Sequence, residues 1–320
     1  MKSRITAVAP GEVAGLNQTV QAGRWVHRGE AIRQWLQRAR LPVDALASRV
    51  GRRSTGALAV DLTAFLVLVY GSDYSEVAVP VRLLAVLTLL MRSERAQFYL
   101  WTLISVVMIV GTMSRILFVD NHKVLLCYWC MAIASLGHRP EQLARTGRLL
   151  IGIAFAFATF WKLASGDFLD GALLRFELLT DGRFAGFASF VTGIEPSALD
   201  GNREMVHNVL AGHVQAVELH SAARIDLVAR AITFYTVFIE GLVAVAFLVP
   251  ARWRLAKLRN WALIVFVLTV YSVATVIGFA WVLCIMGYSQ TGPKERLARI
   301  GYLTAFLAAQ FYLMPWRAIL

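Results

Sequence analysis

The sequence predicts an all-α integral membrane protein, a polytopic helical bundle of about eight spans with a helical extracytoplasmic insertion. Three observations predict it. Of 320 residues, 58% are hydrophobic and only 16% charged, with a mean hydropathy of +0.60; a soluble domain of this size carries far more charge. The apolar residues fall in continuous runs near or above the length of a membrane-crossing helix, without the alternation of barrel strands. Lys and Arg cluster in every second turn between those runs.

The elements follow in order. Residues 1–55 form a cytoplasmic lead. In it, RWVHRGEAIRQWLQRARL sets Trp25, Ile32, Trp35 and Leu36 at helical spacing with arginines between. That pattern suits an amphipathic helix on the membrane surface, or one packed on the ends of the spans. The first 20 residues hold no compact apolar stretch of the secretory-signal kind. Residues 56–165 form the first part of the bundle, with runs at 57–71, 77–91, 96–119, 124–137 and 149–165. Residues 166–228 form the insertion, where DGNREMVHNVLAGHVQAVELH reads as a helix after a turn at Asp200–Gly201. Residues 229–320 complete the bundle, with runs at 232–250, 261–288 and 300–316.

Charge sets the expected orientation. The formal net charge is +12, and the first 53 residues carry ten Lys or Arg against Glu12, Glu30 and Asp44. The turns at 92–95, 138–148 and 251–260 are also basic, whereas 166–227 holds nine acids and four arginines. The positive-inside bias therefore puts the N-terminus in the cytoplasm and the insertion outside. The basic surplus reads as topology and contact with anionic lipid. No basic groove interleaved with aromatics points to nucleic acid.

The stretch FVDNHKVLLCYWC, residues 118–130, concentrates reactive groups at the start of an apolar run. Its Asp120, Asn121 and His122 fall at an outer turn. The next run begins inside near Leu149, and Lys162 stands 13 residues along it, roughly 20 Å up at 1.5 Å per residue. His122 and Lys162 thus reach similar depth on consecutive antiparallel helices and can share a pocket opening outward. A lysine here either snorkels to the headgroups or faces the bundle. In the bundle, burial disfavours the ammonium and makes a neutral amine available as a base, with histidine as its partner.

DNHKVLL, followed some forty residues later by FAFATFWKLASGDFLDG, resembles the HTTM membrane domain, the membrane part of vitamin K-dependent γ-carboxylases and many bacterial relatives. Asn121 and His122 match the Asn-His pair that opens one span in that family. Lys162, Leu163, Asp167 and Gly171 match the motif that closes the next. The likeness extends more loosely over residues 57–316, through the span count and an intramembrane Glu240. The resemblance implies a reduced quinone as cofactor, Lys162 as the base that deprotonates it, His122 as the partner of that base and Asn121 beside them. In the carboxylases the quinol anion reacts with oxygen, becomes a strong base and takes a γ-proton from glutamate, to which carbon dioxide adds. The animal enzymes also carry a large lumenal region that presents the peptide; the insertion here has only about sixty residues. The expectation is thus an oxidoreductase or carboxylase-like enzyme acting on a quinone or another lipophilic molecule, in the cytoplasmic membrane of a bacterium.

Other groups offer competing readings. Cys127 and Cys130, spaced i, i+3, lie on one helix face and suit a membrane thiol oxidoreductase with an outward redox pair. Buried packing is the alternative, and Cys284 is expected near the outer end of its span. Asp61, Arg82, Arg115 and Glu240 lie within or at the ends of runs, and pairing with arginine is the expected fate of the deeper acids. His207, His213 and His220 do not share one helical face, and no metal site is expected. A non-catalytic subunit that recruits a protein through the insertion or the basic lead is the remaining alternative.

Overall fold

The computed structural model describes residues 54–71, 75–91, 93–114, 116, 120–292 and 294–311. Among them lie thirteen α-helices and no strand. Helices α1 (Thr55–Tyr70), α2 (Ser75–Leu90), α3 (Glu94–Met113), α4 (Asn121–Leu136) and α5 (Pro140–Ala164) precede the insertion. The insertion is built from α6 (Gly166–Leu169), α7 (Ala172–Thr180), α8 (Ala185–Thr192) and α9 (Pro196–Leu210). Then come α10 (Ile225–Leu248), α11 (Arg259–Val273), α12 (Ile277–Ser289) and α13 (Arg296–Phe311). They belong to one compact unit that begins at Thr55. The expected amphipathic lead lies outside the described residues.

Three helices, α3, α5 and α10, are long and apolar enough to cross a membrane. Their outer faces suit lipid: α5 exposes Phe157, Phe160 and Trp161, and α10 exposes Phe234 and Phe238. Helices α1, α11 and α12 are apolar but shorter. At 1.5 Å per residue, the 13 residues of α12 cover roughly 20 Å, short of a hydrocarbon core about 30 Å thick.

The run at 261–288, read as one span, is two helices. Ala274 is extended and Val276 non-helical between α11 and α12, in a stretch where Val273, Thr275 and Val276 are β-branched and crowd the helical turn. Helix α12 is apolar all round, and every residue of it except Phe279 is buried. It is the central helix, packed against α1, α4, α5, α11 and α13. Cys284 therefore sits mid-helix in the core and not near the outer end of a long span.

Contacts sort the turns to two ends. At one end, a Cβ on Gly56 would lie 3.0 Å from Pro140 at the α4–α5 turn, and Gly147 near the start of α5 meets Ser289 at the end of α12. Asn260 at the start of α11 donates to Glu295 before α13 at 2.9 Å, at this same end. At the other end, Gly278 lies against both His122 and Tyr70, and Arg183 of the insertion reaches Asp120 at 3.9 Å. The first end carries the basic turns at 138–148 and 251–260; the second carries the insertion.

The insertion has its own apolar core of Phe168, Leu174, Leu178, Leu179, Ala188, Ile194 and Leu199, which closes on Ile225 and Ala229 of α10. The expected turn at Asp200–Gly201 is absent: α9 starts earlier and runs through it. Pro196 opens that helix, where its missing N–H costs nothing. The helix stops at Leu210, so the second half of the predicted segment is not helical. The buried Asn202 side chain instead ties the return chain down: it donates to Leu179 O at 3.2 Å and His220 O at 2.9 Å, and accepts from His220 N at 2.8 Å.

Candidate functional site

Lys162 occupies the last turn of α5, and Glu240 lies within α10. Lys162 Nζ donates to both carboxylate oxygens of Glu240 at 2.5 Å. The Glu240 side chain is 8% exposed and that of Lys162 21%. Glu240 thus finds a lysine, not the arginine expected from sequence. Two lone opposite charges in apolar runs are each too costly to leave unpaired; that is the signal by which the pair could have been read.

The pair forms one wall of a cavity of about 440 Å³ between α5, the insertion, α10 and α11. Phe168, Ile232, Tyr235, Thr269 and Val273 line much of the rest. The Tyr235 hydroxyl and Thr269 Oγ1 are hydrogen-bonded at 2.5 Å. Lys162 Nζ also lies 5.4 Å from the centre of the Phe168 ring, a cation–π contact.

The segment after Lys162 explains how Phe168 gets there. Helix α5 ends at Ala164, and α6 is a single turn that buries Phe168. Gly171 then takes φ +86°, and a Cβ there would lie 3.2 Å from Arg230 Cγ and 3.4 Å from its backbone nitrogen. Glycine permits both the left-handed backbone and the approach to α10. Asp170 Oδ1 accepts from Ala172 N at 2.8 Å and starts α7. Asp167 is exposed.

His122 lies at the same end but does not line this cavity. It is buried in the first turn of α4, with its Nδ1 3.9 Å from Asp120. Its ring stacks on Phe279 at 6.3 Å, and Phe279 meets Tyr271 at 6.0 Å. The Tyr271 hydroxyl is buried without a hydrogen-bond partner among the described residues. His122 is not among the residues that line the Lys162–Glu240 cavity, where a shared pocket was expected. Asn121 is exposed beside His122. Lys123, the next residue, is buried and donates to Tyr70 O.

Above the site, Arg183 joins the insertion to the bundle. Its Nε donates to Asp181 Oδ2 at 2.8 Å, and its carbonyl accepts from Thr275. Burial by itself raises the Asp181 carboxyl, but hydrogen bonds from the Arg183 guanidinium and backbone N–H outweigh it and hold Asp181 below its usual value.

The cysteines stand apart from the cavity. Cys127, Cys130 and Cys284 are all free and buried. Cys127 Sγ lies 3.5 Å from the Thr112 hydroxyl. Cys127 is 5% exposed, Cys284 1% and Cys130 0%. Comparison with protein-family models, with curated proteins and with solved structures found nothing that matches the chain.

Proposed function

We propose that this is an HTTM-like enzyme of the bacterial cytoplasmic membrane, N-terminus inside, that binds a quinol or similar lipophilic hydroxyl compound at Lys162–Glu240 and removes its proton. The observation that carries the reading is the position of that pair, 2.5 Å apart on the wall of a largely apolar cavity of about 440 Å³. Such a volume suits a small ring system. An amine and a carboxyl held together at low dielectric share one proton, as an ion pair or as neutral groups. When a substrate O–H bond breaks, its proton joins the pair, which then holds two, as an ammonium and a carboxylic acid. The pair's single positive charge faces the substrate oxyanion, so no isolated charge is created in the membrane. The resemblance adds oxidation or carboxylation as the sequel. His122, which does not line the cavity, then acts without touching the substrate.

A second reading follows from the same contact: the pair only staples α5 to α10. The two readings separate experimentally in proteoliposomes supplied with a short-chain reduced naphthoquinone. As an enzyme, Lys162→Arg and Lys162→Met lose turnover by about 100-fold or more, while quinol binding changes little. The double variant Lys162→Met/Glu240→Leu folds but stays inactive. As a staple, Lys162→Met alone destabilises, because it strands a buried acid at a cost of about 3 kcal/mol, and the double variant recovers stability. Full turnover in Lys162→Arg, or no quinol binding by the wild type, would overturn the enzyme reading.

A further inference from the structure

The basic end holds a group of cations that the Lys162 site does not use. Arg148 follows Gly147, which packs on Ser289, and Arg259 at the first position of α11 precedes Asn260, which is bonded to Gln290, so both arginines come to the end of α12 and repel each other. The Nε atoms of Arg148, Arg259 and Arg299 are each buried without a hydrogen-bond partner among the described residues. No ion pair to any of the three is found among the described residues. Arg299 spends one donor on Gly292 O at 2.8 Å. Glu295, the acid tied to Asn260, is already occupied: its oxygens accept from Asn260 Nδ2 at 2.9 Å and Gly292 N at 2.6 Å.

This group is rigidly set. Asn260 Oδ1 accepts from Gln290 at 2.8 Å and from the Tyr302 hydroxyl at 3.1 Å, so the start of α11 is tied to the α12–α13 turn. Gly147, beside Arg148, packs on Ser289 and the Met286 carbonyl. Arginines held together against their mutual repulsion, with donors unspent, call for an anion. The fork of N–H groups matches the oxygens of a phosphate, and the α11 N-terminus adds its positive dipole end.

We propose that Arg148 and Arg259, flanked by Arg299, form a phosphoryl-anion site at the basic end, filled by the headgroup phosphate of an anionic lipid or by free phosphate. The proposal is independent of the chemistry at Lys162. Its test uses the full chain in mild detergent. Native mass spectrometry follows retention of phosphatidylglycerol against phosphatidylcholine of equal chain length, and thermal melts follow added pyrophosphate. Three proteins are compared: wild type, Arg148→Gln/Arg259→Gln, and a charge-matched control, Arg252→Gln/Arg254→Gln, in the neighbouring loop. If a lipid is the source, wild type and control retain phosphatidylglycerol preferentially, and the site variant retains it about tenfold less. If free phosphate is the source, pyrophosphate raises the melting point of wild type and control but not of the site variant, without lipid preference. Arg148→Lys/Arg259→Lys, which keeps the charge but loses the fork, serves if the Gln variant does not fold; it also weakens binding. Equal losses in site and control variants, or neither lipid preference nor a pyrophosphate effect in the wild type, would overturn the proposal.

Discussion

At the scale of single residues, one tight requirement in the core is the contact of Gly287 with Tyr302. A Cβ on Gly287 would lie 2.4 Å from the Tyr302 ring, which is fully buried and hydrogen-bonded to Asn260. Helix propensity alone favours alanine over glycine by about 1 kcal/mol, but here the clash wins. Gly287→Ala should lower the melting temperature in detergent, at a net cost of about 2 kcal/mol. The same change at Gly186, where nothing lies within 4 Å, should be neutral or stabilising. If steric overlap is the cause, Tyr302→Ala added to Gly287→Ala costs much less than the sum of the two single changes. The Gly287 position also bears on the basic end, because a displaced Tyr302 releases Asn260.

At the scale of elements, the Asp181–Arg183 pair organises one set of polar contacts between the insertion and the bundle. Arg183 meets Asp120 before α4 and, through its carbonyl, Thr275 between α11 and α12. The folded Asp181 is more acidic than its ordinary value of 3.8. Its contribution is therefore fully present above about pH 4 and lost as pH falls through the lower folded value. Glu177 moves the other way: burial raises it first, then its hydrogen bond with Asp181, and its contribution fades as pH rises past 4.5. Asp181→Asn should speed hydrogen exchange in α8 and at Thr275 near neutral pH. The gap from wild type should narrow below about pH 4. A gap that persists unchanged into acid would show that Asp181 acts by shape, not charge.

At the scale of the whole molecule, the sorting of turns to two ends makes orientation a single question. The buried Asn202 is unsuitable for labelling, whereas Glu204 on the same helix is exposed. The three native cysteines are buried, so the background is quiet. Glu204→Cys should react with a membrane-impermeant maleimide in intact cells, as the charge alternation requires. Labelling only after lysis would turn the bundle over and put the Lys162 cavity on the cytoplasmic side.

The sequence by itself determined what depends on local pattern. Continuous apolar runs made helices, every second turn was basic, and the polar segment at 166–228 became a separate helical layer with its own small core. It also marked Lys162 as a charge needing an explanation. Tertiary structure decided what depends on residues far apart in the chain. Glu240 is 78 positions from Lys162, and periodicity carries no information about which charge meets which. The break at 274–276 was hidden because its residues are as apolar as their neighbours; β-branching and the short length of α12 divide the run, and packing hides its two ends. The separation of His122 from the Lys162 cavity was equally invisible, since similar depth on adjacent helices fixes height but not the direction a side chain faces. Rotation of a helix about its axis is set by packing against its neighbours, and the structure turns Lys162 to Glu240 and stacks His122 on Phe279.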